Sequence, residues 1–383
     1  MPLPLAIVAI VAALAAPLPS QVHRVLPGTA WDGIAANAKP GDEIVLEAGV
    51  HRPARIEGLA GEPGRPIVIR AADGKSLAEI RGGSHGLELV RPSHVEVRNL
   101  FLRESRGEGL LITGDAATPA RGILVRNVLL SKCGVSERKP ALRLTAIEGA
   151  TIADCRVQGF EDAALSIERG REIRLERIQI VAEAAGAGRT AVRIGSGSDG
   201  VTIERLGIGP SIQTAFAIGT AAPTGALGVP DGPLAARVSI RHSLVERNAI
   251  FAAVGSAREV ELRRNTILDP LDTALLLSPP PPGRPGPTGV RFRDNLVSWT
   301  PNSLKRFTTR GPGLEGELDV EFGTNLWHSA ELPAALPLLG GWEGRVTGPQ
   351  VTDLDPRLDH RSLPQEPAAK AFGFEPDSAR PDR

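Results

Sequence analysis

A nine-residue phrase recurs along this chain, and the recurrence limits what it can fold into. His94-Val-Glu-Val-Arg-Asn-Leu-Phe-Leu102 is echoed by Gly122-Ile-Leu-Val-Arg-Asn-Val-Leu-Leu130. With Asn99 as anchor, the counterparts are Asn127, Asp154, Arg177, Arg205, His242, Arg264 and Asp294, spaced 22 to 37 residues apart. Four residues before, two before and three after the anchor, every copy is apolar. The set runs from Val95, Val97 and Leu102 in the first copy to Val290, Phe292 and Val297 in the last. Polar residues stand between, Arg98, Arg126, Glu176, Glu204, Arg241, Arg263 and Arg293 among them, with Ala153 the exception. Alternation of this kind predicts a half-buried strand. A second short strand precedes it in each unit, as in Ala141-Leu-Arg-Leu-Thr145, Ala164-Leu-Ser-Ile-Glu168 and Ala191-Val-Arg-Ile-Gly195.

One such unit cannot bury its apolar side alone, but stacked units can. The units carry no convincing helix, which disfavours helical crossovers and leucine-rich repeats. A propeller would need four strands in ~40 residues, and these spacings are too short for that. The expected fold is therefore all-β: a single-stranded right-handed parallel β-helix of about eleven coils. The pattern extends upstream to Ile67-Val-Ile69 and Ile44-Val-Leu46, and downstream to Val320-Glu-Phe322. Ahead of the first coil, Trp31, Ile34, Ala35 and Ala38 share one helical face. They predict a short amphipathic cap with Thr29 as N-cap. Residues 209–237 and the run Pro279-Pro-Pro-Pro-Pro-Gly-Arg-Pro-Gly-Pro287 are expected excursions, the proline run standing off the surface.

Residues 1–20 are expected to be a signal peptide. Leu3 to Ala16 is apolar, shorter than a membrane span, and ends in Ala13-Leu-Ala15. A short membrane anchor is the competing reading, since no Lys or Arg precedes the run. Export predicts a secreted, periplasmic or cell-envelope location. Residues 21–340 form the solenoid, and 341–383 a covering segment followed by a disordered tail. Formal net charge is zero, with 44 basic and 44 acidic residues, which argues against a nucleic-acid partner. After signal cleavage no membrane contact and a monomeric state are expected. The two cysteines, Cys133 and Cys155, can form a bridge in an exported chain or remain buried thiols.

The segments Pro40-Gly-Asp-Glu-Ile-Val-Leu-Glu-Ala-Gly-Val-His-Arg52 and Gly61-Glu-Pro-Gly-Arg-Pro-Ile-Val-Ile-Arg-Ala71 resemble the pectin-lyase-like β-helix superfamily. So do Gly82-Gly83 and the tail Asp355-Pro-Arg-Leu358 through Pro367-Ala-Ala-Lys-Ala-Phe-Gly373. The resemblance is nearest to the alginate lyase and chondroitinase B group. It implies a fold in which polysaccharides are bound and cleaved, with calcium in some members. The catalytic motifs of that group are absent; Ser131-Lys-Cys133 and Arg241-His-Ser243 are partial echoes. Mannuronan epimerases carry Asp-Pro-His-Asp, whereas this chain has Asp269-Pro-Leu-Asp272. Polygalacturonases carry an Asp-Asp pair with two further motifs, of which only Glu161-Asp162 has an echo.

Register converts to distance in a solenoid. Aligning Leu142, Leu165 and Val192 puts Arg143, Ser166 and Arg193 outward on adjacent coils, about 5 Å apart. Three residues earlier stand Lys139, Asp162 and Arg189. The expectation is one basic patch around Asp162, with Glu161 and Glu168 nearby. Arg143, Ser166 and Arg193 would bind the substrate, and Lys139, Arg143, Asp162, Arg189 and Arg193 are the catalytic candidates. Arginine grips carboxylates bidentately. β-Elimination from a uronic acid needs its carboxylate neutralised and its C5 proton removed, and a crowded cation can lose a proton more readily. The chain has no tyrosine, which excludes tyrosine-based elimination. The competing reading is a solvated charge ladder. Arg241, Arg263 and Arg293 read as surface decoration, and His242 and His328 as structural. No resident cofactor is expected, although Glu315, Glu317, Asp319 and Glu321 alternate as calcium ligands would. Two functions follow. One is lyase-like binding and cleavage of acidic polysaccharide; the other is a non-catalytic glycan-binding or envelope structural module.

Overall fold

A computed structural model describes residues 20–72, 78–183, 188–220, 232–300, 303–312, 314, 318–329, 331, 350–351, 356–357 and 364–373. The expected signal peptide falls almost wholly outside these residues, as do Glu315 and Glu317 and most of the expected covering segment and tail. Among the described residues, no helix is long and apolar enough to cross a membrane.

The strands stack in parallel, each hydrogen-bonded to its equivalent one coil away. The predicted register holds along the phrase: Val95 pairs with Ile69 minus two, that is Ile67, and with Ile123, and Val97 pairs with Ile69 and Val125. Val290 and Phe292 pair with Val320 and Phe322. None of the apolar positions that define the phrase is more than 3% exposed. They line a single continuous core running from Val25 to Trp327.

The unit has three faces rather than two strands. The phrase is not one strand that alternates throughout, because its anchor is a corner. All eight anchors have left-handed backbone, from φ 57° at Asn99 and 52° at Asn127 to 52° at Arg264 and 56° at Asp294. A second set of left-handed corners lies five residues earlier, at His94, Gly122, Gly149, Glu172, Gly200, Arg237, Glu259 and Gly289. The apolar spacing already required the anchor corner. From two before the anchor to three after is an odd step, and a continuous strand would send those side chains to opposite sides. The left-handed residue turns the chain so that both point inward. Upstream strands such as Leu110–Thr113, the start of Leu142–Ala153 and Gly188–Gly195 form the first face. Residues 93–98 and their equivalents form the second face. The third includes Arg156–Gln158, Gln179–Val181 and Leu244–Glu246.

The residue just after the anchor also points inward, and its chemistry changes along the solenoid. It is Leu100, Val128, Cys155, Ile178 and Leu206, then Ser243, Asn265 and Asn295, all buried. The polar members form a ladder that continues to Asn325. The Asn265 backbone N–H donates to Asn295 Oδ1 at 2.9 Å, and that of Asn295 to Asn325 Oδ1 at 3.0 Å. Asn295 Nδ2 donates to Leu262 O at 2.9 Å. Asn295→Ala leaves several of these buried groups without partners. It is expected to cost about 1–3 kcal/mol, read as a shift of the urea midpoint at unchanged slope.

A short helix lies near the N-terminal end, but the strand Val22–Val25 comes before it and stacks in parallel on Glu43–Leu46. The helix covers only Asp32–Ala36 and starts from Trp31, not Thr29, with no side-chain cap. Trp31 and Ala35 are buried in the core with Leu46 and Ile56. The indole Nε1 donates to Arg52 O at 3.0 Å. The tryptophan thus anchors the helix through burial, which explains why a capping side chain is dispensable. The proline run is tied down at its C-terminal end, where Pro287 is buried and Arg284 Nη1 donates to Gly232 O at 3.2 Å, while Pro279, Pro282 and Pro285 are exposed. Near the C-terminal end, Gln350–Val351 adds to Asn325–His328 in parallel. Ala369 packs on Leu296 and Leu326. Cys133 and Cys155 are buried free thiols, not a bridge. Burial pushes the Cys155 thiol up to about 12, so it is inert as a nucleophile near neutral pH.

Candidate active site

The first face carries the expected row. Leu142 pairs with Leu165 and Leu165 with Val192, so Arg143, Ser166 and Arg193 stand on successive coils. Leu111 precedes them and Ala217 follows in the same row. The charges around the row are arranged differently from the expected patch. Arg193 turns to Asp162, with Nη1 to Oδ2 at 2.9 Å and Nη2 to Oδ1 at 2.8 Å. Their side chains are only 10% and 7% exposed. Arg143 turns the other way, to Glu168 at 2.8 Å and Glu108 at 3.4 Å. Ser166 lies between the two arginines, fully buried, and its Oγ has no hydrogen-bond partner within the protein.

The result is two ion-paired knots in place of one basic cluster around Asp162: Arg193 balances Asp162, and Arg143 is shared between two carboxylates. An arginine side chain spans the ~4.8 Å between coils, so each guanidinium reaches a carboxylate on a neighbouring coil. Burial alone would lower the Arg143 pKa. The hydrogen bond and charge of Glu168, then the charge of Glu108, outweigh it and hold the guanidinium above its ordinary value. Arg143 is therefore a fixed cation and a poor proton acceptor at neutral pH.

Lys139 and Arg189 stay at the rim. Lys139 is half-buried and Arg189 exposed, and neither has a carboxylate partner among the described residues. They flank Asp162 by one coil on each side, about 10 Å apart by strand spacing. Glu161 is half-buried, 4.0 Å from Arg138.

Two further groups lie one and two coils upstream of Leu142 in the same register. Leu87 pairs with Leu110 in the same register, which stacks His85 against Glu108, each two residues before its leucine. His85 Nδ1 lies 3.0 Å from Glu108 Oε2, the histidine side chain 29% and the glutamate 2% exposed. The approach is close without the alignment of a good hydrogen bond. Nδ1 itself is buried, so the exposed edge of the ring is the Nε2 side. On the same rim, Arg106 is exposed and donates from Nη2 to Ser84 Oγ at 3.0 Å. It has no carboxylate partner among the described residues. Extending the register upstream to Leu87 would have placed His85 and Glu108 beside Arg143.

Elsewhere, an open groove of about 530 Å³ on the second face is lined by Arg70, Glu96, Arg98, Asn99, Arg126 and Asn127. Its arginines are matched to acids: Arg70 to Glu43, Arg98 to Glu96 and Arg126 to Asp154. Arg263 and Arg293 on that face likewise pair with Asp294 and Glu261, as surface decoration would. Asp269 and Asp272 stand just before the first-face strand Thr273–Leu277. Asp269 Oδ1 accepts the Thr300 N–H at 2.9 Å, which ties its loop to that of the next coil. The described residues hold no cluster of three or more side chains that could ligate a metal.

No family model matches the chain, and no curated protein is similar to it. Solved structures are. The A-module of a mannuronan C-5 epimerase from Azotobacter vinelandii superposes with TM-score 0.55 at 12% identity, over 83% of this chain and 92% of that one. An alginate lyase from a Paenibacillus strain gives TM-score 0.41 at 14% identity, over 78% and 99%. An alginate lyase of the PL6 family gives 0.44 at 13%, over 92% of this chain and 56% of that one, so the chain spans about half of that enzyme. The epimerase module establishes the shared parallel β-helix fold. At that identity it establishes nothing about chemistry.

Proposed function

We propose that this protein binds acidic, uronic-acid polysaccharide along the first face and acts on it in a lyase-like manner. The observation that carries this reading is the rim of Arg106, Lys139 and Arg189, cations without a carboxylate partner among the described residues, over a row whose own arginines are ion-paired. Cations without a carboxylate partner are what a polyanion can reach. Arg143 and Arg193 contribute less to binding than their sequence position suggests, because their guanidinium groups are engaged. Their role is to hold the rim in place. In the same reading the protein is exported, works as a monomer of about eleven coils and is closed at its N-terminal end by the Trp31 helix. No resident cofactor is part of this reading, and calcium stays a candidate partner that the assay below varies. A non-catalytic glycan-binding or envelope structural role is the second reading, favoured by the ion-paired state of Arg143 and Arg193.

The deciding experiment is incubation with alginate, pectate and chondroitin sulfate, with and without calcium, followed by absorbance of the unsaturated product and by binding titration. Lys139→Ala with Arg189→Ala is expected to weaken binding at least tenfold, each phosphate-like or carboxylate contact to a cation contributing about 1 kcal/mol or more. Unchanged affinity in that double variant would remove the rim from the reading. Binding without product would leave the non-catalytic role.

A further inference from the structure

We propose that His85 is the proton-abstracting catalytic residue of the first face, positioned by Glu108 and assisted by Arg106. This rests on the reading that the face binds uronate polymer. Three features converge. Glu108 is buried on the Nδ1 side of the ring, so the open Nε2 faces outward as the basic edge. A buried carboxylate 3.0 Å behind the imidazole is placed to orient it once a modest ring rotation aligns Nδ1–H with Oε2, as general-base catalysis needs. Gly107 leaves room for the ring: a Cβ there would lie 2.7 Å from Ser84 O and 3.3 Å from both His85 Nδ1 and Glu137 Oε2. The cation Arg106, tethered to Ser84 beside the histidine, is free to take a carboxylate.

The charged groups facing the imidazole are Glu108 and Glu137, with Arg143 behind Glu108 and Arg106 at the rim. Arg143 Nη1 lies 3.4 Å from Glu108 Oε1 and holds that side chain in place behind the ring. The step balances without any added reagent. His85 Nε2 takes the C5 proton of a uronate unit, whose carboxylate on Arg106 accommodates the electron pair. That pair then forms the C4–C5 double bond as the C4–O bond breaks. The leaving oxygen takes its proton from the imidazolium, returning His85 to its starting state. One chain becomes two, one of them with an unsaturated end.

The test uses the full chain with alginate, pectate and chondroitin sulfate in deuterated water, reading affinity, C5 deuterium uptake and unsaturated product. His85→Ala is expected to lower exchange and product formation by about 10²–10⁴-fold, the usual contribution of a general base, with affinity unchanged. Added imidazole is expected to restore part of the rate. Glu108→Gln is expected to lower kcat more than it changes KM, and Arg106→Ala to raise KM. His85→Gln serves if the alanine variant folds poorly. Polymer binding with no C5 exchange and no product overturns the role of His85 and leaves the binding reading intact. So does an undiminished rate in His85→Ala. Absence of binding to all three polymers overturns the binding reading itself, and this assignment with it.

Discussion

Replacing Arg193 by methionine is expected to destabilise the protein by about 3–5 kcal/mol. The guanidinium makes two hydrogen bonds to Asp162, at 2.9 and 2.8 Å, and both side chains are nearly enclosed. Removing the cation leaves a carboxylate with no partner in a poorly solvated place, and that orphaned charge carries most of the cost. The pair's net contribution is much smaller, since burying both charges already cost desolvation. The double variant Asp162→Asn with Arg193→Met is therefore expected to recover most of the loss. Urea unfolding of the two variants beside the parent separates these contributions. A loss below about 1 kcal/mol in Arg193→Met would show that the pair behaves as a solvated surface bridge.

Phe292→Ala is expected to cost about 3–5 kcal/mol, the range for truncating a buried aromatic. Phe292 is fully buried at the centre of an aromatic cluster. Its ring centroid lies 6.3 Å from Phe251, 6.0 Å from Phe322 and 5.9 Å from Trp327. Phe251 in turn meets Phe216 edge-on at 5.5 Å. These residues come from several coils, so the cluster ties coils together where local hydrogen bonding ties only neighbours. The void left by truncation opens between coils and cannot be filled by one flexible side chain. Leu271→Ala is the control: Leu271 is 41% exposed, and its loss is expected to change stability by no more than about 0.5 kcal/mol. Thermal and urea midpoints of the two variants check the contrast.

The stacked register was legible because a solenoid repeats its inward positions. Val97, Val125, Ile152, Leu175 and their equivalents needed only a common anchor to be aligned, and the pairing follows that alignment. The corner at the anchor was less legible. Asn99, Asn127, Asp154 and Asp294 are residues that tolerate left-handed backbone, but Arg177, Arg205 and Arg264 occupy the same corner. Stacking with neighbouring coils imposes the turn there against local preference. The start of the short helix departs from the sequence pattern for a related reason: burial of Trp31 outweighs the local capping tendency of Thr29.

By itself, the sequence determined the parallel stack, the register of Arg143, Ser166 and Arg193, and the apolar core, because each follows from a period. Only the tertiary structure decided where the charges go. Lys139, Arg143, Asp162, Arg189 and Arg193 do share one face. Yet Arg193 chose Asp162, Arg143 chose Glu168 and Glu108, and Glu108 also met His85. Register places each Cα within one coil of its neighbours. It does not choose among several carboxylates within the reach of a long side chain, and that choice depends on burial and corner geometry across coils.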